Sequence, residues 1–259
     1  RLAYKIFYRL DKSMTWYQKF PQYYISLCYI VSVALFLVFI WDYLDWRLLV
    51  TWAVLQFLGM VGINMAYHHL ICHKSYKTNT FWKIILTYIG GIATQSSPNE
   101  WALVHLTHHR YTDTERDPHT PNLSGNTILG VLRAALPVFM NITITDTKIN
   151  LMAKKSFDDP IYRFFDYTHM LWFHGTWIGI YYLFGFDWLM IAFVFPIALA
   201  HIGETIINCF HFNMDFVRRT AWFWNILIVG AGYHAKHHDT PRDYNTDWPV
   251  SKIIDMIKT

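Results

Sequence analysis

The chain has 259 residues, of which 54% are hydrophobic, 19% aromatic and 15% charged. Soluble domains carry about 25% charged residues. This shortfall, with a mean hydropathy of +0.18, indicates a protein that buries apolar surface in lipid. A net charge of +4 without a long run of Lys or Arg argues against nucleic-acid binding. The scattered Cys28, Cys72 and Cys209 indicate neither a disulfide framework nor a thiolate metal site.

Four apolar stretches are predicted to cross the membrane. They cover residues 23–41, 48–67, 168–186 and 188–210, each near the length of about 20 residues that a spanning helix needs. The turn inside each pair is too short for anything but a tight external connection. Of the 22 Lys and Arg residues, only Arg47 falls in these turns, so the positive-inside rule places both termini in the cytosol.

Two shorter apolar stretches, residues 84–93 and 128–139, are too short to span the bilayer. They are predicted to lie in the membrane interface or against the cytosolic part of the protein. Pro196, inside the fourth span, is predicted to free the carbonyl of Ala192 and kink the helix.

These elements together predict an all-α integral-membrane fold with four transmembrane helices. The whole chain, residues 1–259, is expected to form one domain. A cytosolic helical cap is predicted from the segments outside the spans, residues 68–167 and 211–259.

Histidines are concentrated in three boxes, one HxxxxH and two HxxHH. Their members are His68 and His73, then His105, His108 and His109, and finally His234, His237 and His238. Residues at i, i+3 and i+4 share one face of a helix, so the imidazoles of each HxxHH box are predicted to converge on one volume. Five residues correspond to about 140° on an α-helix, so His68 and His73 are predicted either to straddle a helix end or to bind from different angles.

The predicted topology brings all three boxes to one side of the membrane. The second span ends at the first box, the second box precedes the third span, and the fourth span ends at His211 before the third box. Eight box histidines exceed the four ligands of a closed zinc site, so a site for two metal ions is predicted. Imidazole suits Zn, Cu, Fe and Ni, so the ligand type leaves the metal open.

The boxes and their flanking residues resemble the membrane-bound fatty-acid desaturases of the stearoyl-CoA and acyl-lipid Δ9 type. The similarity runs from about residue 64 to 248 and includes Glu100-Trp101-Ala102, Asp117-Pro118-His119 and Asp243-Tyr244. It implies two iron ions held by the eight box histidines and His211. In the family pattern His68, His73, His105 and His109 belong mainly to one iron, and His108, His211 and the third box mainly to the other. His69 is not a ligand position and is expected to be a solvated or structural neighbour.

The resemblance also implies an activity, in which O2 and two electrons are used to insert a cis double bond, at Δ9, into a saturated acyl chain. No catalytic residue is expected beyond the metal centre. The electron donor is expected to be a separate cytochrome b5 or ferredoxin. The membrane is expected to be the endoplasmic reticulum or a bacterial inner membrane, with the active site in the cytosol.

Two positions depart from the family pattern. An Asn four residues before the lone histidine reaches one iron through water in the family, whereas Ile207 stands there in this chain. Asn208, three residues before His211, shares that helix face and is a candidate for the same role. An Arg-Asp pair that helps to hold CoA is replaced by Leu103-Val104, which favours a lipid-linked or carrier-linked acyl chain over acyl-CoA.

Further polar and apolar side chains are candidates for supporting roles. A stripe on the second span is a candidate wall of the substrate tunnel. Its upper part is predicted to limit the length of the acyl chain. The product profiles of Trp52→Ala and Met60→Ala would test this hypothesis. The stripe consists of Trp52, Gln56, Met60 and Asn64. Carboxylates are needed to orient the imidazoles, and the candidates are Glu100, Asp113, Asp117 and Asp239. His201 and Glu204 are predicted to pair or to line the tunnel.

Three other functions are compatible with parts of the pattern. A membrane di-iron hydroxylase shares the metal centre, although HxxxxH favours desaturation. A zinc-dependent lipid hydrolase needs few ligands and an open position. A non-catalytic metal transporter is expected to bind its ion near the bilayer midplane, whereas these histidines lie at one face.

Overall fold

The computed structural model describes residues 16–93, 96–114, 116–118, 120, 128–136, 149, 152, 158–210 and 219–259. Within this part of the chain the regular elements are helical, apart from an isolated antiparallel bridge between Thr78 and Lys258. The α-helices are α1 (Trp16–Phe39), α2 (Trp46–Val61), α3 (Thr80–Ile92), α4 (Pro98–Tyr111), α5 (Ile128–Ala135), α6 (Pro160–Phe184), α7 (Phe186–Leu189), α8 (Phe195–Phe210), α9 (Ala221–Leu227), α10 (His234–Asp239) and α11 (Val250–Ile257).

Two π-helical segments extend α-helices. The first π-helix, Gly62–Cys72, continues α2, and the second, Met190–Val194, joins α7 to α8. Short 3₁₀ turns occupy Ile40–Tyr43, Ala231–Tyr233 and Tyr244–Thr246.

Three helical stretches are long and apolar enough to cross a membrane, which indicates a membrane protein. They are Tyr23–Tyr43, Trp46–Cys72 and Phe186–Cys209, and they agree with the predicted first, second and fourth spans. The predicted third span coincides with most of α6, a helix of 25 residues that ends where Gly185 adopts a φ of +88°. Helix α6 is not among the three apolar stretches, because His, Tyr and Trp residues lower its hydropathy. The arrangement with four spans and a cytosolic cap therefore stays a prediction.

The two shorter apolar stretches also form helices, α3 and α5, although residues 137–139 of the second stretch lie outside the described residues. Pro196 lacks the N–H that an α-helix needs and crowds the preceding turn. The helix accommodates it directly after the second π-helix, where the amide of Phe195 donates to the carbonyl of Met190. The irregularity predicted near Pro196 is thus a π-helical turn directly before it.

The core that supports the histidines is built around the first π-helix, whose eleven residues are all buried. Tyr76, beyond its end, donates a hydrogen bond from its hydroxyl to the carbonyl of Met65 at 2.9 Å. Helix α3 approaches the π-helix so closely that a Cβ on Gly62 would lie 2.6 Å from the amide nitrogen of Gly90. Backbone packing of this kind leaves no room for a side chain and fixes the position of the π-helix.

We expect Gly62→Ala to destabilise the protein, because overpacking of a close backbone contact costs about 1–3 kcal/mol. Gly59 is the matched control, one turn earlier on α2, where a Cβ would meet nothing within 4 Å. Thermal unfolding of the purified variants in detergent measures both effects. Gly59→Ala should be neutral or slightly stabilising, since alanine favours a helix by about 1 kcal/mol over glycine. Equal unfolding temperatures for the two variants would contradict this account of the packing.

Candidate metal centre

The first histidine box lies on the first π-helix, and the helix type explains the spacing of the box. The amide of His73 donates to the carbonyl of His68 at 3.0 Å, the i to i+5 pattern of a π-helix. This pattern brings residues five apart close together, so the centroids of the two rings are 4.8 Å apart. His73 is the C-cap residue, so the prediction that the box straddles a helix end is confirmed.

The eight box histidines form two groups, in each of which the ring nitrogens lie within 4.8 Å of one another. Group A consists of His68, His73, His105, His109 and His237, and group B of His108, His234 and His238. His211, the predicted ninth ligand, lies outside the described residues. The two groups provide enough imidazoles for two metal ions.

Each HxxHH box is divided between the two groups, so the prediction that its imidazoles converge on one volume is wrong. The pairs at i and i+4 stay together, His105 with His109 in group A and His234 with His238 in group B. The residues at i+3, His108 and His237, join the opposite group. Successive residues of an α-helix are rotated by about 100° around its axis. The side chain at i+4 therefore points about 40° to one side of the side chain at i, and the side chain at i+3 points about 60° to the other side.

The third box lies mainly with His108 in group B, as expected, and one of its histidines is in group A. His237 belongs with the first box, because its Nε2 lies 2.8 Å from that of His68 and 3.1 Å from that of His73. Groups A and B meet where the ring of His109 stacks on that of His238, with centroids 4.0 Å apart.

The spacing of the ring nitrogens fits shared metal ions. The Nε2 atoms of His68 and His237 are 2.8 Å apart in group A, and those of His108 and His234 are 3.1 Å apart in group B. Two nitrogens bound to one ion at about 2.1 Å and at right angles stand about 3.0 Å apart. A neutral imidazole has a single N–H, so hydrogen bonds cannot pair all of these converging nitrogens. A cation bound by each group would satisfy them.

Burial keeps these imidazoles neutral, which is the form that binds metals. It is the largest cause that lowers the pKa of His73, His105 and His234 well below the ordinary value for histidine, and neighbouring histidines add to it. The same causes lower the pKa of His109 and His237. At neutral pH the lone pairs of these rings are therefore available to metal ions.

Asp117, one of the four candidate carboxylates, orients a ring of group B. The Nδ1 atom of His108 donates to its Oδ1 at 2.9 Å, which leaves Nε2 to face the other histidines. Asp117 is buried and also accepts from the backbone amide of Asp113 at 2.8 Å. The hydroxyl of Thr112 lies 3.3 Å from Nδ1 of His238 and fixes a second ring of the same group.

Asp247 has the corresponding position beside group A, and no sequence motif marks it. Its Oδ2 accepts from Nε2 of His69 at 2.7 Å and lies 3.8 Å from Nδ1 of His68. Both ring nitrogens of His69 have partners, because its Nδ1 lies 3.2 Å from the hydroxyl of Ser75. His69 is completely buried, so it is a structural neighbour of the centre and not a solvated one. It can also share a metal-sized site with His68 and Asp247.

The other candidate carboxylates do not orient imidazoles in the described residues. Asp239 is exposed at the end of α10. Asp113 supports Asp117 through its backbone, and its own carboxylate accepts from Thr120 at 2.9 Å. Glu100 lines the adjoining cavity.

A cavity of about 120 Å³ adjoins both groups. His68, His105 and His237 of group A and His234 of group B line it. Trp101 forms another wall and stacks on His105 at 4.6 Å between ring centroids, with 20° between the planes. The cavity therefore places a small molecule or part of a chain directly beside the ring nitrogens.

The predicted tunnel stripe reaches this cavity only at its lower end. Asn64 lines the cavity, and its amide donates to the backbone carbonyls of Ile228, at 2.9 Å, and Val229. The remaining members are not among the described residues that line the cavity; they are Trp52, Gln56 and Met60. Their role in limiting chain length stays a prediction.

The polar residues of α8 face the same cavity. Asn208 lines it, as do His201 and Glu204. His201 stacks on Tyr29 of α1 with 3.7 Å between ring centroids and 13° between planes. The expected lining role of His201 and Glu204 is thus consistent with their positions, and the water-mediated role of Asn208 stays a prediction.

The fold and the site define a class of protein, a helical membrane protein with a histidine-rich centre for two metal ions. Residues 44–249 match the fatty acid desaturase family, so most of the chain is covered by this match. The chain belongs to the fatty acid desaturase family.

Several characterised proteins are similar to the chain at low identity. The sn-1 stearoyl-lipid 9-desaturase of Anabaena variabilis is 24% identical over 77% of this chain and 72% of its own length. The Delta-9 acyl-lipid desaturase 2 of Arabidopsis thaliana is 26% identical over 76% of this chain and 65% of its own length. The chloroplastic palmitoyl-monogalactosyldiacylglycerol delta-7 desaturase of Arabidopsis thaliana is 26% identical over 70% of this chain and 49% of its own length. The chain thus spans between about half and about three quarters of these relatives.

We expect Asp117→Asn to weaken metal binding by about 10- to 100-fold, the usual cost of losing a partner that orients a ligand. The matched control is Asp239→Asn, which changes an exposed carboxylate directly after the third box. Metal content is measured by plasma mass spectrometry after dialysis against a graded series of chelator concentrations. Asp239→Asn should retain the wild-type content throughout. Equal metal retention by Asp117→Asn and the control would contradict the orienting role of Asp117.

Proposed function

We propose that this protein binds two iron ions in groups A and B and uses O2 to introduce a cis double bond, at Δ9, into a saturated acyl chain. The observation that carries the proposal is the pair of histidine groups with a shared cavity beside them. Membership of the fatty acid desaturase family supplies the reaction class. The relatives described as 9-desaturases support the position of the double bond.

The donor set favours iron over zinc. Structural zinc sites close with four ligands and catalytic ones use three, whereas group A alone offers five imidazoles. Bound iron supplies the oxidising chemistry that removes hydrogen from an unactivated methylene. The overall balance is one acyl chain, one O2, two electrons and two protons, giving one alkene and two waters.

The protein's own residues supply position. Methylene groups along an acyl chain are chemically alike, so only a fixed distance from the ring nitrogens distinguishes one from another. Trp101, held against His105, and Asn64, held by the backbone before the third box, are rigid parts of the cavity wall. Ile63 and Val104 add apolar surface that accepts methylenes.

The nature of the acyl carrier follows from Leu103 and Val104. Leu103 is only 7% exposed, and Val104 lines the cavity, so neither position presents a charge that holds CoA. Two of the similar proteins are described as lipid desaturases acting on stearoyl-lipid or acyl-lipid substrates. We therefore propose an acyl-lipid substrate in place of acyl-CoA.

The membrane arrangement completes the proposal. Four spans, with α6 as the third, place both termini and the histidine groups on the cytosolic side of the endoplasmic reticulum or of a bacterial inner membrane. A separate cytochrome b5 or ferredoxin then delivers electrons from the cytosol. His109 and His238 are the partly exposed members of groups A and B, so the stacked pair is the part of the centre nearest to such a donor.

Expression in a desaturase-deficient host, followed by gas chromatography of the fatty acids, tests the function. The wild-type chain should produce a monoene whose mapped double bond lies at C9, mainly in membrane lipids. His105→Gln should abolish the product, because it removes a ring from group A. The control His174→Gln should retain it, since His174 lies on α6 outside both groups and accepts from Trp177. A hydroxylated fatty acid in place of the monoene would identify a hydroxylase and contradict the proposal.

A further inference from the structure

Glu100 is in an unusual position for a residue in the first turn of a helix. Helix α4 begins with the sequence Ser97-Pro98-Asn99-Glu100, and the hydroxyl of Ser97 accepts from the Glu100 amide at 3.3 Å. In a capping box of this type the Glu side chain turns back to the amide of the capping residue. Here Glu100 lines the cavity beside His68 and His105.

A second carboxylate already serves the start of α4. Asp166, on α6, accepts from the backbone amide of Asn99 at 2.9 Å and so satisfies one of the free donors of the first turn. The favourable interaction between a helix N-terminus and a negative charge is therefore supplied by Asp166. The capping of α4 gives no separate reason for Glu100 to be ionised and turned toward the helix end.

The surroundings of Glu100 favour proton exchange near neutral pH. Burial, and then the charge of Asp166, raise the pKa of Glu100 to about 7. Burial also raises the pKa of Asp166. A carboxyl group whose pKa lies near the working pH both holds and releases a proton, as an effective general acid requires.

Other titratable groups also lie around Glu100. His169 on α6 bonds to the carbonyl of Asp166 through Nδ1 at 2.9 Å. Across the cavity lie groups from other elements, namely His68 of the first π-helix, Tyr29 of α1, His201 and Glu204 of α8, and His234, His237 and Asp247 near the third box. The box histidines need their lone pairs for metal ions, and Asp247 accepts from His69.

The proposed reaction consumes two protons at this enclosed site, and the cavity offers a path for them. Its volume of about 120 Å³ is well above the roughly 10–15 Å³ that a single water molecule requires, so the cavity has room for several. A short chain of water in this space would connect a carboxyl on the wall to the ring nitrogens, and Glu100 stands on that wall.

We propose that Glu100, which interacts electrostatically with Asp166, is the group that delivers protons across the cavity to the metal centre. The inference rests on the proposed desaturase function. In each turnover one acyl chain loses two hydrogens, O2 is reduced to two waters with two electrons from the external donor, and two protons enter. Each proton leaves the carboxyl of Glu100 toward the cavity, and the resulting carboxylate takes up a proton from bulk water before the next transfer.

Glu100→Gln tests the proposal, because Gln fits a capping box as well as Glu and removes only the proton. Turnover of the purified protein, supplied with reductant, electron donor and acyl lipid, should fall by about 100-fold, the lower end of what a general acid contributes. Wild-type activity should decline as the pH rises through about 7, where Glu100 loses its proton. This decline should be absent from Glu100→Gln, while metal content and unfolding temperature match the wild type.

Asp166→Asn provides the second variant, since its amide oxygen still accepts from Asn99. Removal of the negative charge lowers the pKa of Glu100, so the decline in activity should move to lower pH. Asp255→Asn, an exposed carboxylate on α11, is the control and should leave rate and profile unchanged. The inference alone fails if the wild type makes the alkene and Glu100→Gln matches it in rate and pH profile, or if Glu100→Gln loses metal. A wild-type chain that makes no alkene overturns the proposed function and this inference together.

Discussion

Each of the two helices that carry an HxxHH box contributes two histidines to one group and one histidine to the other group. Helix α4 keeps His105 and His109 in group A and sends His108 to group B, while α10 keeps His234 and His238 in group B and sends His237 to group A. Neither group is complete without both helices. The approach of α4 to α10 therefore fixes the distance between the two groups, and the rest of the fold has to maintain it.

The surrounding contacts maintain that approach through rigid groups. The first π-helix is buried along its length, and Asn64 on it bonds to the backbone just before α10. On the opposite side, Asp117 follows α4 and holds the ring of His108. Asp247 follows α10 and accepts a hydrogen bond from His69, the neighbour of His68 in the first box. Buried carboxylates thus stabilise rings of both groups, which is a costly arrangement unless cations are present to balance the charge.

The apolar spans and the histidine boxes were predictable from sequence, because both depend on short, local patterns. Three spans and the helix end at His73 followed directly from hydropathy and spacing. The division of each box did not, because it depends on how two helices separated by more than a hundred residues cross. The π-helical form of the first box could not be predicted from the sequence either, because a π-helix has no distinctive composition and arises here from tertiary packing. Asp247 was missed for a related reason: it lies nine residues beyond the third box with no motif to mark it.

Cavity residues illustrate the same limit. The stripe from Trp52 to Asn64 has the correct helical spacing, yet only its last member lines the described cavity. The residues opposite come from α1, α5 and α8, and no periodicity in one segment reveals which faces of three others will meet it. Carboxyl groups such as Glu100 become chemically informative only when their burial and their neighbours are known.

Metal stoichiometry with identification of the ligands tests the central claim most directly. Protein purified from cells supplied with iron should contain two iron ions per chain, and X-ray absorption should show coordination mainly by imidazole nitrogen. When α4 and α10 unfold, both ions should be released at the same time, because each group takes ligands from both helices. A single ion per chain, or zinc with four ligands, would contradict the account.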